Sequence, residues 1–167
     1  IKDVGGFVGG YLANGRRKAS GVLHRQLLTL DLDYANPDVW NDFTMSYTAA
    51  AVLYSTHKHS HGTPRYRLLM PLSRQVFPDE YQAIARRVAD LLDIELFDPT
   101  TFQPERLMYW PSTSKDGEYV FEWQDGPWLD ADKVLGSYTD WKDTSEWPVS
   151  ERVSKIVQRS MVKQGDP

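Results

Sequence analysis

The chain has 167 residues, 41% of them hydrophobic and 13% aromatic, the composition of one globular domain with a real core. It has no cysteine, so neither disulfides nor a cysteine zinc site holds it together, which suits a cytoplasmic protein, and no apolar run approaches membrane-spanning length. Net charge is −4, yet residues 1–74 carry 9 Lys and Arg against 5 Asp and Glu, whereas residues 75–167 carry 10 against 18; the first part suits a polyanionic ligand and the second reads as solvated surface.

Residues 7–12 read as a strand and Asn14-Gly15 as a tight hairpin turn. Gly9-Gly10, Arg16, Arg17, Lys18 and Arg25 surround it. A glycine pair beside clustered cations suggests a hinge touching nucleotide or template backbone, while surface charge on a hairpin tip is the plainer reading. The chain returns over residues 22–33, where strict alternation puts Leu28, Leu30 and Leu32 on a core face and Thr29, Asp31 and Asp33 on the other. The two acids lie roughly 6.5 Å apart along an extended chain, within reach of two divalent ions roughly 3.5–4 Å apart. Acids are common on the wet face of a strand, but Asp is a poor strand former, so a pair here points beyond sheet stability.

Asn36-Pro37 places a cap and a first-turn proline before a short helix with Val39, Trp40, Phe43 and Tyr47 on one side. Residues 50–55 read as a buried strand and 65–71 as its partner. Pro78 opens an amphipathic helix carrying Tyr81, Ile84, Ala85, Val88, Leu91 and Leu92 at the 3.6 period. Residues 106–110 and 118–123 read as a last strand pair joined at Lys115-Asp116-Gly117. The order β-β-α-β-β-α-β-β predicts an α+β fold, helices covering one face of a mostly antiparallel sheet. After Trp128 the pattern weakens. A polar helix over 150–163 reads as a linker or the start of another module, and a chain beginning at Ile1 rather than Met reads as a segment of something longer.

Three of the four histidines fall in Tyr54-Ser55-Thr56-His57-Lys58-His59-Ser60-His61. While that segment stays extended, Ser55, His57, His59 and His61 share a side. It reads as a solvated loop, as a histidine metal site, or as a phosphate-binding turn in which hydroxyl, imidazole and Lys58 donate to triphosphate oxygens. Arg65 and Arg67 on one face of the next strand support the third reading, since guanidinium holds phosphate oxygens bidentately; Arg67, deeper in the strand, is the stronger candidate.

Asp31-x-Asp33 ending one hydrophobic strand, Ser55-x-His57 ending the next, and Asp98 after Leu96-Phe97 form an ordered set that resembles the three-motif signature of the archaeo-eukaryotic primase superfamily. Over residues 5–125 the chain is similar to primase-like domains of phages and mobile elements, including those fused to virulence-associated-E-type helicases. The resemblance implies an RRM-like primase-polymerase catalytic domain over 1–128, with 129–167 as an extension toward a further module. It implies a nucleotidyltransferase using two Mg2+ or Mn2+ ions at Asp31, Asp33 and Asp98, with Ser55 and His57 holding the incoming dNTP or NTP. Asp98 reads equally as a turn former before Pro99. A single-stranded DNA template and a helicase or other replication module are the implied partners, in a bacterial or infected cell. Two other functions stay open: a rolling-circle-type replication endonuclease built on the histidines, and a noncatalytic single-strand-binding module using aromatics on the sheet face.

Overall fold

The computed structural model describes residues 4–164. Among them the strands are β1 (Gly6–Phe7), β2 (Gly10–Leu12), β3 (Val22–Leu32), β4 (Ala51–Ser55), β5 (Tyr66–Val76), β6 (Met108–Tyr109) and β7 (Phe121–Gln124). The helices are α1 (Val39–Ser46), α2 (Pro78–Leu92), α3 (Ala131–Leu135) and α4 (Glu151–Gln164). Five strands form one antiparallel sheet in the order β2-β3-β5-β4-β7, and β1 pairs with β6 in a separate ribbon. The fold is α+β, as the interleaved strands and helices predict.

Leu28, Leu30 and Leu32 of β3, Leu53 of β4, and Leu68, Met70 and Leu72 of β5 are buried with Tyr81, Ile84 and Val88 of α2 and Val39 and Phe43 of α1. Each such side chain contributes about 1.5–3 kcal/mol through burial, so a one-residue slip of β3 would turn three leucines out to water. The leucines therefore set the register, with Leu30 opposite Leu68 and Asp31 opposite Arg67. Helix α2 begins where the sequence expects it: Pro78 is preset for the first turn, and Glu80 Oε2 accepts the Phe77 N–H at 2.7 Å. It stops at Asp93, whose φ of 100° leaves the helical region. Leu91, in its last turn, is exposed rather than on the buried stripe.

Several local expectations change. Asn14 and Gly15 do take positive φ, but the chain returns only after a second turn at Ala19–Gly21, so Leu12 meets Val22 across a long connection. Gly9 and Gly10 are no hinge. A side chain at either would run into the β3 carbonyls of Leu27 or His24, and the Gly9 carbonyl accepts from both Gln26 and Leu27. Arg25 is buried, donating from Nη1 to the Pro104 carbonyl at 2.6 Å and lying over the Tyr81 ring, which removes it from the exposed cations. Residues 106–110 and 118–123 do not pair with each other: β6 joins β1, and β7 joins β4. The core also runs past Trp128, because Leu129, Ala131, Leu135 and Tyr138 pack into it and the Tyr138 hydroxyl donates to the Ala83 carbonyl at 2.6 Å.

Strand β2 ends its cover of β3 at Gly10, opposite Arg25. Beyond that point, among the described residues, the outer edge of β3 has no strand beside it, and its polar groups are met singly. Arg25 Nη2 donates to the Leu27 carbonyl, Tyr81 Oη accepts the Thr29 N–H, Thr101 Oγ1 accepts the Asp31 N–H at 2.8 Å, and the Asp98 N–H donates to the Asp31 carbonyl at 3.0 Å. Buried backbone groups need such partners.

Candidate active site

The register carries Asp31, Arg67 and Tyr54 side by side across β3, β5 and β4. Arg67 donates from Nε to Asp31 Oδ1 at 2.7 Å and from Nη1 to the Tyr109 carbonyl at 2.6 Å. Asp31 is only 6% exposed, so the expected wet face begins at Asp33, which is half-buried and takes Arg65 Nη1 at 3.4 Å. Burial pushes the Asp31 carboxyl above the ordinary aspartate range; Arg67 pulls it down, Asp33 adds to the rise, and Arg106 opposes it. Arg106 stands between two acids, 3.9 Å from Asp31 and 3.1 Å from Asp98.

Asp31 and Asp33 open into a cleft of about 220 Å³ together with His57, Lys58, Arg65, Arg67, Arg106 and Ser112. Four cationic side chains face two carboxylates there, so the cleft favours an anion. Its volume is below the roughly 300–1,000 Å³ of pockets that enclose a whole small ligand, and suits a phosphate chain better than an entire nucleotide.

The histidine segment does not stay extended. The His59 N–H donates to the Thr56 carbonyl at 3.0 Å, and the resulting turn sends the three rings to different places. His57 lines the cleft with Nδ1 3.2 Å from Ser112 Oγ. His59 is buried against Tyr66 and accepts the Arg65 N–H, and burial pushes its pKa down. His61 is exposed. The three rings therefore do not converge on one point.

Two expected ligands lie elsewhere. The Ser55 hydroxyl is fully buried and accepts the Val120 N–H at 2.9 Å, tying the chain before β7 to β4 rather than meeting phosphate. Asp98 does not line the cleft; its carboxylate caps the turn Pro99–Phe102, accepting from the Thr100 N–H and hydroxyl and from Arg106. Among the described residues no group of three or more His, Asp or Glu is placed to hold a metal ion. Conversely, Arg106, Ser112 and the Tyr109 carbonyl join the site without any periodicity to announce them; the only signal was their position in the motif-bearing stretch 98–112.

Comparison with known families decides the kinship. The model of the VapE N-terminal domain matches residues 1–150. The chain belongs to the VapE N-terminal domain family. This agrees with the resemblance carried by Asp31-x-Asp33 and Ser55-x-His57, and the match extends through the packed residues 129–138. No curated protein matches the chain. Among solved structures, the AEP domain of the cyanophage S-2L primase-polymerase is similar, with a TM-score of 0.56 and 15% identity over 78% of this chain and 68% of that one. At that identity the likeness is one of fold, and the domain has a primase-polymerase-like fold. Among the described residues no helix is long and apolar enough to cross a membrane.

Proposed function

We propose that this domain adds nucleotides from dNTPs or NTPs along a single-stranded DNA template, as a primase or polymerase in phage or mobile-element replication in the cytoplasm of a bacterial or infected cell. The observation that carries the reading is one cleft holding Asp31 and Asp33 beside Arg65, Arg67, Arg106, Lys58 and His57. Acids alone would suit a cation and bases alone an anion; both together suit a nucleoside triphosphate. The hard carboxylate oxygens of Asp31 and Asp33 fit Mg2+ or Mn2+, because Mg2+ takes one or two carboxylates and completes its shell with substrate phosphates and water. Bound there, such ions would lower the pKa of the attacking hydroxyl and neutralise the leaving pyrophosphate.

In the reaction a 3′-hydroxyl oxygen bonds to the α-phosphorus, its proton leaves, and the bond to pyrophosphate breaks. Arg67 and Arg106, which hold Asp31 in the free domain, would turn their charge to the phosphates once that carboxylate is engaged. His57 would donate from the ring nitrogen that has no partner among the described residues, with Ser112 fixing the other. Lys58, exposed at the rim, would meet the outer phosphate. Asp98 acts at one remove, by holding Arg106 and pinning the Asp31 backbone. Membership of the VapE N-terminal family supports a helicase module as the partner in the same polypeptide or operon.

The test is incubation with a single-stranded template, labelled dNTPs or NTPs, and Mg2+ or Mn2+, with and without primer. Metal-dependent product of templated sequence is expected. Template binding with no product under any combination would overturn the reading in favour of a noncatalytic single-strand-binding module, and nicked template would favour an endonuclease.

A further inference from the structure

One face of the sheet carries the helices; on the other, Thr29, Asp31 and Tyr54 are buried and the Tyr109 carbonyl meets Tyr54 and Arg67, whereas the part around Phe121 and Trp123 is uncovered. Strand register places Thr29, Leu69, Val52 and Trp123 in one row across β3, β5, β4 and β7, and Asp31, Arg67, Tyr54 and Phe121 in the next. Residues two apart on a strand point the same way, so the rows share the face that holds the acids. Phe121 is 51% and Trp123 64% exposed, and with Leu27, Val52, Leu69 and Pro71 they line a shallow hollow of about 590 Å³. Leu27 and Pro71 also border a second hollow flanked by Tyr11 and Trp128, both exposed.

Strand β7 is an edge of the sheet. Exposed aromatic rings on an edge strand invite stray association and are normally avoided, so an uncovered pair argues for an occupant. We infer that the occupant is the single strand of nucleic acid itself, its bases stacked on Phe121 and Trp123 and its backbone led toward the cationic cleft. The inference rests on the polymerase reading for which strand is meant, and on this face for where it lies. Aromatic rings accept any base, as a template-tolerant surface requires. Charge supports the direction: the row ending in Phe121 begins beside Arg67, Arg65, Arg106 and Lys58, whereas Asp125 bounds the far end of the hollow. Three strand spacings separate Phe121 from Asp31, on the order of 14 Å, or about four stacked nucleotides. A strand anchored on the platform therefore reaches the cleft within a few residues of its length.

The experiment is fluorescence anisotropy of the full chain with a labelled twelve-nucleotide oligo-dT, across a salt series, alongside templated synthesis and sedimentation. Phe121→Ala and Trp123→Ala should each weaken oligonucleotide binding roughly ten- to a hundredfold with an unchanged salt slope, since stacking releases no counterions. Trp123→Phe should retain most of the affinity, and Met45→Ala, exposed on α1, should leave it unchanged. Unaltered binding in both alanine variants overturns the inference even where synthesis by the parent chain upholds the polymerase reading. Lost binding in a chain that makes no product upholds the platform and removes the polymerase. A concentration-dependent dimer abolished by Trp123→Ala, with oligonucleotide binding intact, would assign the face to a second copy instead.

Discussion

At the start of α2, Arg74 donates to Glu80 at 2.7 and 3.2 Å and to Asp132 at 2.8 and 3.0 Å, while in the cleft Arg67 and Arg106 converge on Asp31. Both clusters are arginine with carboxylate, yet they titrate in opposite senses. Hydrogen bonds from Arg74 hold the Glu80 and Asp132 carboxyls below their ordinary ranges, outweighing burial. At Asp31 burial outweighs the arginines and the carboxyl is raised. The first cluster has each charge met at a half-open surface and fastens a helix start to α3. The second leaves a buried charge incompletely compensated beside an open cleft, which is the condition in which a ligand gains by supplying what the protein withholds.

The sharpest way to test that contrast is to neutralise each acid. Asp31→Asn and Asp33→Asn should lower nucleotide addition by about 10²–10³-fold, while Asp31→Asn leaves the melting temperature unchanged or higher. A drop of several degrees would make Asp31 as structural as Glu80 and break the comparison. A second measurement removes the partner. Arg67→Met leaves Asp31 buried with only Arg106 nearby and should cost about 3 kcal/mol in urea unfolding, much of it restored when Asp31→Asn is added. Equal losses in the two backgrounds would mean that Arg67 contributes packing and not charge.

The smallest effect is at the other cluster. Glu80→Gln should cost about 1 kcal/mol, through the weakened Arg74 bond and Phe77 cap, with no change in nucleotide addition. The pH dependences should also diverge. Glu80, lowered in the folded state, stabilises above the ordinary glutamate range, and that contribution is lost as pH falls through it. Asp31, raised in the folded state, opposes folding while ionised, and the penalty lifts as pH falls. Melting temperatures between about pH 6 and 3 should therefore give difference curves of opposite slope for Glu80→Gln and Asp31→Asn against the parent chain. Curves of the same slope would erase the distinction.

Leu28, Leu30 and Leu32 made β3 legible, because alternation is a local signal, and the same alternation put Asp31 and Asp33 on one face. The burial of Asp31 was not legible. It comes from residues 98–106 folding over the bare edge of β3, an event with no trace in local pattern. Ser55 and Asp98 show the same limit. A motif spacing identifies a hydroxyl or carboxylate but not whether Val120 or Thr100 already occupies it. His59 left its expected side because a turn, rather than a strand, follows Ser55. For β6 and β7, strand character was visible but the partner was not, since pairing is set by distant chain.

The seal on that edge also orders events in time. Tyr81 lies 52 residues beyond Thr29, Thr101 lies 70 beyond Asp31, and the Pro104 carbonyl lies 79 beyond Arg25. At a synthesis rate of about 5–20 residues per second, Arg25 emerges from the ribosome roughly 4–16 s before Pro104 follows it out. In that interval the free amides of β3 could recruit another nascent strand. Two aspartates at its end repel a like copy in the same register, so the charges read as a substrate site also guard the strand while the domain is unfinished.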